Sequence, residues 1–397
     1  MKKLLMPLFL ILVVGTGCEQ QQAITQLQVG RDKLLGAGLT IQAVENLKRS
    51  EMEERNKVEP RALLLIGYSV GLSSGDARKF KGLEEEYKKE RTRRLAEMDV
   101  AQMKIILQVL NERHRVQQDA MQVLIDKGTD AVPLLVASVV KRHYVNLREG
   151  DLIDMLHQIG SAALDKVIEA VRASNTPLSV KIDFVRLIGR MGDSRAIADL
   201  ESIRNTSDGA LKIEINAALY KLGKKEYQKE IVLALKDPDV TARRSATKAM
   251  AEMNDSPTTE IIDVLNDADA QVRKYGAQAL QNSPAKQAVD PLVNLLISDS
   301  NEDVKQAASE ALHVHVQQGL AKGLANRLIN ELLSGKVNEP KDRVRVIHLL
   351  KKKELIKQIK AAPEDLNLEY NLYEYEKETE QNDTVKGELT RLLLELE

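Results

Sequence analysis

A chain of 397 residues, 43% of them hydrophobic, holds enough apolar side chain for two or three domains. Its 58 basic and 59 acidic residues nearly cancel, which excludes electrostatic capture of nucleic acid by the chain as a whole. With 3% aromatics and no Trp the core must be built of Ala, Leu, Ile, Val and Met, which suits closely packed helices, and 10 Pro with 21 Gly leave little room for an all-β fold.

The chain opens with "MKKLLMPLFLILVVGTGCEQQQ". Lys2 and Lys3 form a positive start, Leu4 to Val14 an apolar run of eleven residues, and Gly15, Thr16 and Gly17 lead to Cys18, the one cysteine. As a helix that run would span about half of a bilayer, so it reads as an export signal rather than a membrane span. Small residues directly before a cysteine resemble the lipobox of bacterial lipoproteins, although Gly15 stands where that family usually has Leu. The resemblance implies cleavage after residue 17 and acylation of Cys18, and Glu19 after the cysteine would permit sorting to an outer membrane. Two or three acyl chains, at roughly 0.8 kcal/mol per buried CH₂, would make a firm anchor. The ordinary alternative is a plain signal peptide with an incidental cysteine. The exported part then has no disulfide, and without Lys2 and Lys3 its 58 basic residues fall to 56 against 59 acidic.

Residues 18–80 form the next expected domain, of helical hairpins. Gly38, Ala43, Leu47, Ala62, Leu65, Gly67, Gly75 and Ala77 loosely resemble one and a half tetratricopeptide units, and a capping hairpin fits equally well. Residues 81–100 include "EEEYKKERTRRLAEM", a charged connecting helix in which Glu84–Lys88 and Glu85–Lys89 have the supportive i, i+4 spacing.

From residue 101 to 360 the chain repeats itself. "LKDPDVTARRSATKAM", Leu235 to Met250, returns thirty residues later as "LNDADAQVRKYGAQAL", with Leu235/Leu265, Asp237/Asp267, Asp239/Asp269, Arg243/Arg273 and Ala249/Ala279 identical. The series Lys181, Lys212, Arg243, Arg273 and Lys305 advances by 31, 31, 30 and 32. A fixed period of this size signals stacked supersecondary units. Gly128, Gly160 and Gly192 extend it backward and Arg343 forward, while Glu149 stands where a base is expected. Ala242, Ala246, Ala249, Met250 and Met253 mark one helix face, preceded by a shorter helix over roughly Lys229 to Leu235. Asp237 is expected to cap the second helix, with Pro238 at its first position.

Two short helices per unit, Asp in the turn, a base near the start of the second helix and an Ala-rich seam resemble the HEAT repeat, in the short bacterial subtype also found in phycobilin lyases. The resemblance implies an all-α fold, a right-handed α-solenoid of helix pairs, with the second helices lining its concave face. A lone pair cannot bury its apolar side, and stacking supplies the continuous core.

Residues 361–397 should cover and cap the end of the array. In "DLNLEYNLYEYE" Leu366, Leu368, Tyr370 and Leu372 recur with a period of two, which predicts a loop or short strand, and Tyr370, Tyr373 and Tyr375 cluster as a candidate binding spot. Val385, Leu389, Leu392, Leu393 and Leu396 then predict a final amphipathic helix.

Catalytic patterns are scarce. Gly71 to Gly75, "GLSSG", matches the serine-hydrolase pattern, but the residues before Ser73 read as helix where that motif needs a strand. The six histidines, His114, His143, His157, His313, His315 and His348, show no metal-ligand spacing. Neither a metal nor a cofactor is expected, nor an enzymatic activity. Arg244, Lys248 and Lys274, beside Arg243 and Arg273, form a central basic patch that could dock an acidic partner, or a structural ladder paired to turn aspartates. The expectation is therefore an exported protein, lipid-anchored through Cys18, with the periplasmic side of the outer membrane favoured. It would act as a non-catalytic scaffold for an envelope protein partner and bind no nucleic acid. The alternative, from the phycobilin-lyase resemblance, is an enzyme or chaperone acting on a prosthetic group.

Overall fold

A computed structural model describes residues 17–35, 41–53, 58–73, 82–111, 116–141, 149–253, 255–363 and 366–396, and every regular element among them is helical. The expected signal segment, Gly38, Gly75 and Ala77 lie outside the described residues, as does the side chain of Cys18. The chain divides into two compact units, Met1–Asp199 and Leu200–Glu397.

The first unit contains α1 (Gly17–Leu35), α2 (Ile41–Glu53), α3 (Val58–Ser73), α4 (Glu84–Glu97), α5 (Val100–Asn111), α6 (Gln117–Lys127), α7 (Val132–Lys141), α8 (Glu149–Ile159), α9 (Leu164–Arg172) and α10 (Leu178–Met191). From α5 onward the helices alternate between two layers, α5, α7 and α9 in one and α6, α8 and α10 in the other. Gly128, Gly160 and Gly192 end second-layer helices with φ between 63° and 72°, a left-handed backbone that costs glycine little. The charged helix α4 packs on α3, burying Tyr87 and Arg94. Arg94 forms two hydrogen bonds to Glu51, and Tyr87 meets Tyr68 edge-on with ring centroids 5.0 Å apart. Lys88 pairs with Glu85 one turn back, not with Glu84.

The chain passes through α11 (Ile197–Asn205) into the second unit. There follow α12 (Gly209–Lys221), α13 (Gln228–Ala234), α14 (Val240–Ala251), α15 (Thr258–Val264), α16 (Ala270–Asn282), α17 (Val289–Ser298), α18 (Glu302–Gln317), α19 (Leu324–Leu333), α20 (Pro340–Leu350), α21 (Lys353–Lys360), α22 (Leu368–Glu374) and α23 (Asp383–Leu396). The second helices α12, α14, α16 and α18 lie flank to flank, and α14, α16 and α18 are each backed by their own first helix, α13, α15 and α17. One continuous core runs through them, from Ile213 through Ala246, Ala277, Ala308 and Leu328 to Leu392. Alanine at the facing positions permits the close approach. Gly276 goes further, since a Cβ there would lie 2.9 Å from Val264 Cγ2.

Two local expectations need correction. Asp237 does not cap α14, which begins at Val240 with Asp239 accepting the Thr241 N–H. Asp237 instead accepts the Asp239 N–H inside the turn, so Pro238 stays outside the helix. The segment read as alternating is the helix α22, which starts after Asn367 in the left-handed region and buries Leu368 and Leu372, with Tyr375 buried just beyond it.

Candidate functional site

Each ruler base stands in the first turns of a second helix, and in the second unit most of them bind acceptors of the following turn. Arg243 donates from Nε to Asp267 at 2.8 Å, and its Nη1 reaches back to the carbonyl of Asp237 at 2.8 Å. Arg273 repeats the arrangement on Asp299, at 2.6 Å from Nε and 2.8 Å from Nη2, with Nη1 on the carbonyl of Asp267. The aspartates hold the turn as well, because Asp267 accepts the Asp269 N–H and Asp299 the Asn301 N–H, both at 2.8 Å. Burial raises the affinity of Asp267 and Asp299 for protons, but the arginine hydrogen bond, the turn N–H and the arginine charge together outweigh it, and both carboxyls titrate below the usual Asp value.

Lys305, buried, departs from this spacing and pairs with Asp342 on α20 rather than with a turn aspartate. Arg343 restores the motif on the C-terminal segment. Its Nε lies 2.8 Å from Glu380, and its Nη1 binds the carbonyl of Asn338 at 2.6 Å. Glu380 is buried and accepts the Gln381 and Asn382 N–H groups and the Tyr375 hydroxyl, so the cap supplies the carboxylate that a further repeat would have offered. Among the described residues Lys181 and Lys212 have no carboxylate within ion-pair distance.

A second, more exposed row runs beside the first. Arg244 binds Asp269 at 2.8 Å and Lys274 binds Asp303 at 2.7 Å. Arg244 holds the Asp269 carboxyl down to about 2. Two of the three central-patch residues are thus neutralised within the array, while Lys248, half-buried, has no carboxylate partner among the described residues.

The tyrosine cluster splits. Tyr370 and Tyr373 are 60% and 47% exposed on a groove of about 470 Å³ with Lys360, Pro363 and Leu393, whereas Tyr375 turns inward onto Glu380. Ser73 ends α3, and its hydroxyl donates to Asp119 at 2.5 Å, with the Val70 carbonyl 3.3 Å away. His315 is fully buried, with Nδ1 on the Ala311 carbonyl at 2.8 Å and Nε2 accepting the Ala285 N–H at 3.1 Å. That pattern selects the neutral Nδ1–H tautomer, and burial lowers the pKa. Among the described residues no group of three His, Cys, Asp or Glu side chains is placed to hold a metal ion. No helix among them is long and apolar enough to cross a membrane.

Sequence reasoning missed Asp342 and Glu380. Neither lies at the turn position the ruler implies, although the capping pattern Glu380–Asn382 before α23 was a usable signal.

Stacked helix pairs joined by a basic-to-acidic ladder define an α-solenoid. Residues 258–345 match the family model described as HEAT repeats, within an array that is an α-solenoid of stacked helix pairs. Among solved structures, an engineered protein is similar at 15% identity over 97% of this chain and 96% of that one, with a TM-score of 0.34. The karyopherin Kap121p bound to the SUMO protease Ulp1p is similar at 12% identity over 96% of this chain and 49% of that one, TM-score 0.47. The complex of CpcE and CpcF of phycocyanin lyase from Nostoc sp. is similar at 18% identity over 59% of this chain and 94% of that one, TM-score 0.31. All three scores lie under 0.5, and the assignment rests on the repeat geometry and the family match. No curated protein sequence matches the chain significantly.

Proposed function

We propose that the chain is a non-catalytic protein-binding scaffold, exported and held at a bacterial membrane by lipid on Cys18, that offers its second-helix layer to a protein of the cell envelope. The observation that carries this reading is the layer formed by α12, α14, α16 and α18, which sets equivalent side chains of successive repeats side by side. The ladder neutralises most of that layer's own charge internally, so stacking and recognition do not compete for the same groups. Export and anchoring are supported by the lysine pair, the apolar run and the small residues before Cys18. The outer membrane is favoured by Glu19.

The test combines fractionation with capture in the native host. Full-length protein should label with a palmitate analogue and sediment with membranes, and Cys18→Ser should abolish both. In-cell crosslinking should capture one envelope protein, and a Lys248→Ala variant with Arg244→Ala and Lys274→Ala should weaken that capture. A labelled Cys18→Ser protein would sink the anchor, and a chain that captures nothing would sink the scaffold.

A further inference from the structure

The repeat loses its period at one place, and a groove opens there. The ruler bases advance by 30 from Arg243 to Arg273 and by 32 to Lys305, but by 38 from Lys305 to Arg343. Part of the excess lengthens α18 to 16 residues against 13 in α16 and 12 in α14. α18 consequently packs far less extensively on α20 than on α16. The space between α18 and α20 is an open groove of about 350 Å³. Its walls include Gln306, Glu310 and His313 from α18, and Lys341, Arg345 and Lys352 in or next to α20.

Cations outnumber the carboxylates available to them along this groove. Glu302 serves both Lys341 at 3.0 Å and Arg345 at 3.1 Å, and Arg345 also shares Asp342 with the buried Lys305. At the rim Glu388 is shared by Lys351 at 3.3 Å, which also lies 4.0 Å from Glu395, and by Arg391, and it bonds the His348 ring at 3.0 Å. Lys352, half-buried in the wall, has no carboxylate within ion-pair distance among the described residues. Glu310 is engaged by the Gln306 amide at 2.8 Å rather than by a lysine. Elsewhere on the layer each exposed base of the second row has its own aspartate, as Arg244 has Asp269 and Lys274 has Asp303. An extended acidic segment laid in the groove would supply the missing carboxylates, the recognition mode in which clustered bases read an acidic motif.

We infer that the groove between α18 and α20, opened by the lengthened repeat, is the docking site for an acidic segment of a partner protein. This rests on the scaffold reading and gives it a place and a partner chemistry. The test is fluorescence anisotropy with the full chain in detergent and fluorescein-labelled hexaglutamate, with hexaglutamine as control. Hexaglutamate should bind saturably and hexaglutamine should not. Lys352→Glu should weaken binding about tenfold and Lys352→Gln about threefold, since threefold, about 0.6 kcal/mol, is the size of one screened charge contact and charge reversal about doubles it. Lys229→Glu, on the exposed side of the first helix α13, should leave it unchanged. Circular dichroism melts identical to the parent would show that each variant is folded. Absence of saturable binding, or equal effects at Lys352 and Lys229, would overturn the proposal. If that happens while photocrosslinks from the second-helix layer persist in cells, the acidic occupant falls and the scaffold stands. Loss of both would remove the scaffold as well.

Discussion

Arg273 and Asp299 are joined through two nitrogens and two oxygens at 2.6 and 2.8 Å, and the same pair fastens one repeat to the next. The arginine belongs to the start of α16, the aspartate to the turn before α18, and the aspartate also accepts the Asn301 N–H. Removing one partner strands the other in a largely buried position. Asp299→Ala should therefore cost about 3 kcal/mol in chemical denaturation, near the low end for a broken buried pair. A double-mutant cycle with Arg273→Met should recover a substantial part of that cost. Additive single effects would show that the pair does not couple the repeats.

Stability should fall with acid in two stages. His315 is held neutral by burial, below its ordinary value, so the unfolded chain binds the proton more readily than the folded one. Its contribution is complete above the unfolded value near 6.5 and is lost as pH falls through and below it. Asp267 and Asp299 are also depressed, and their contribution is lost lower, as pH falls from the ordinary Asp value of 3.8 through their folded values. Denaturation midpoints measured from pH 7.5 to 3 should show both declines. His315→Asn should remove the upper one while leaving the lower.

Gly276→Ala sets two known effects against each other. Alanine in a helix interior gains about 1 kcal/mol over glycine, but the new methyl would sit 2.9 Å from Val264 and 3.0 Å from Leu265. Overpacking of this kind costs about 1–3 kcal/mol. The expected net result is a destabilisation of about 1 kcal/mol, seen as a lower melting midpoint. A stabilised variant would mean that α15 and α16 have room to separate.

The C-terminal cap should detach as a unit when Glu380 is changed. Glu380→Ala removes the acceptor of Arg343, of the Tyr375 hydroxyl and of two turn N–H groups. Limited proteolysis should then cut first between residues 366 and 383, before any cleavage inside α14 or α16. Unchanged protease resistance would show that the apolar contacts of Leu389 and Leu392 suffice to hold the cap.

Much of this architecture is legible in the sequence because stacking forces repetition. Arg243 and Arg273 perform the same task in the same frame, so the period exposes them along with Asp237, Asp267 and the Ala seam. The acceptors at Asp342 and Glu380 escape the ruler because the repeat lengthens at α18 and then ends. The helix α22 is hidden in the sequence for a simple reason: Leu368 and Leu372, four apart, satisfy both a period of two and a helical turn. The opening between α18 and α20 is foreshadowed only by the interval of 38 after Lys305. An interval alone does not say whether extra residues bulge outward or separate two helices.

The central claim is that the second-helix layer, and not the outer first helices, meets the partner. A photoreactive amino acid placed singly at Lys248, Lys274 or Lys352, or on the first helix α13 at Leu233 or Lys229, tests it in the native host. The account predicts one adduct band of constant size from Lys248, Lys274 and the groove residue Lys352, and none from Leu233 or Lys229. Adducts of equal yield from both layers, or only from the first helices, would contradict it.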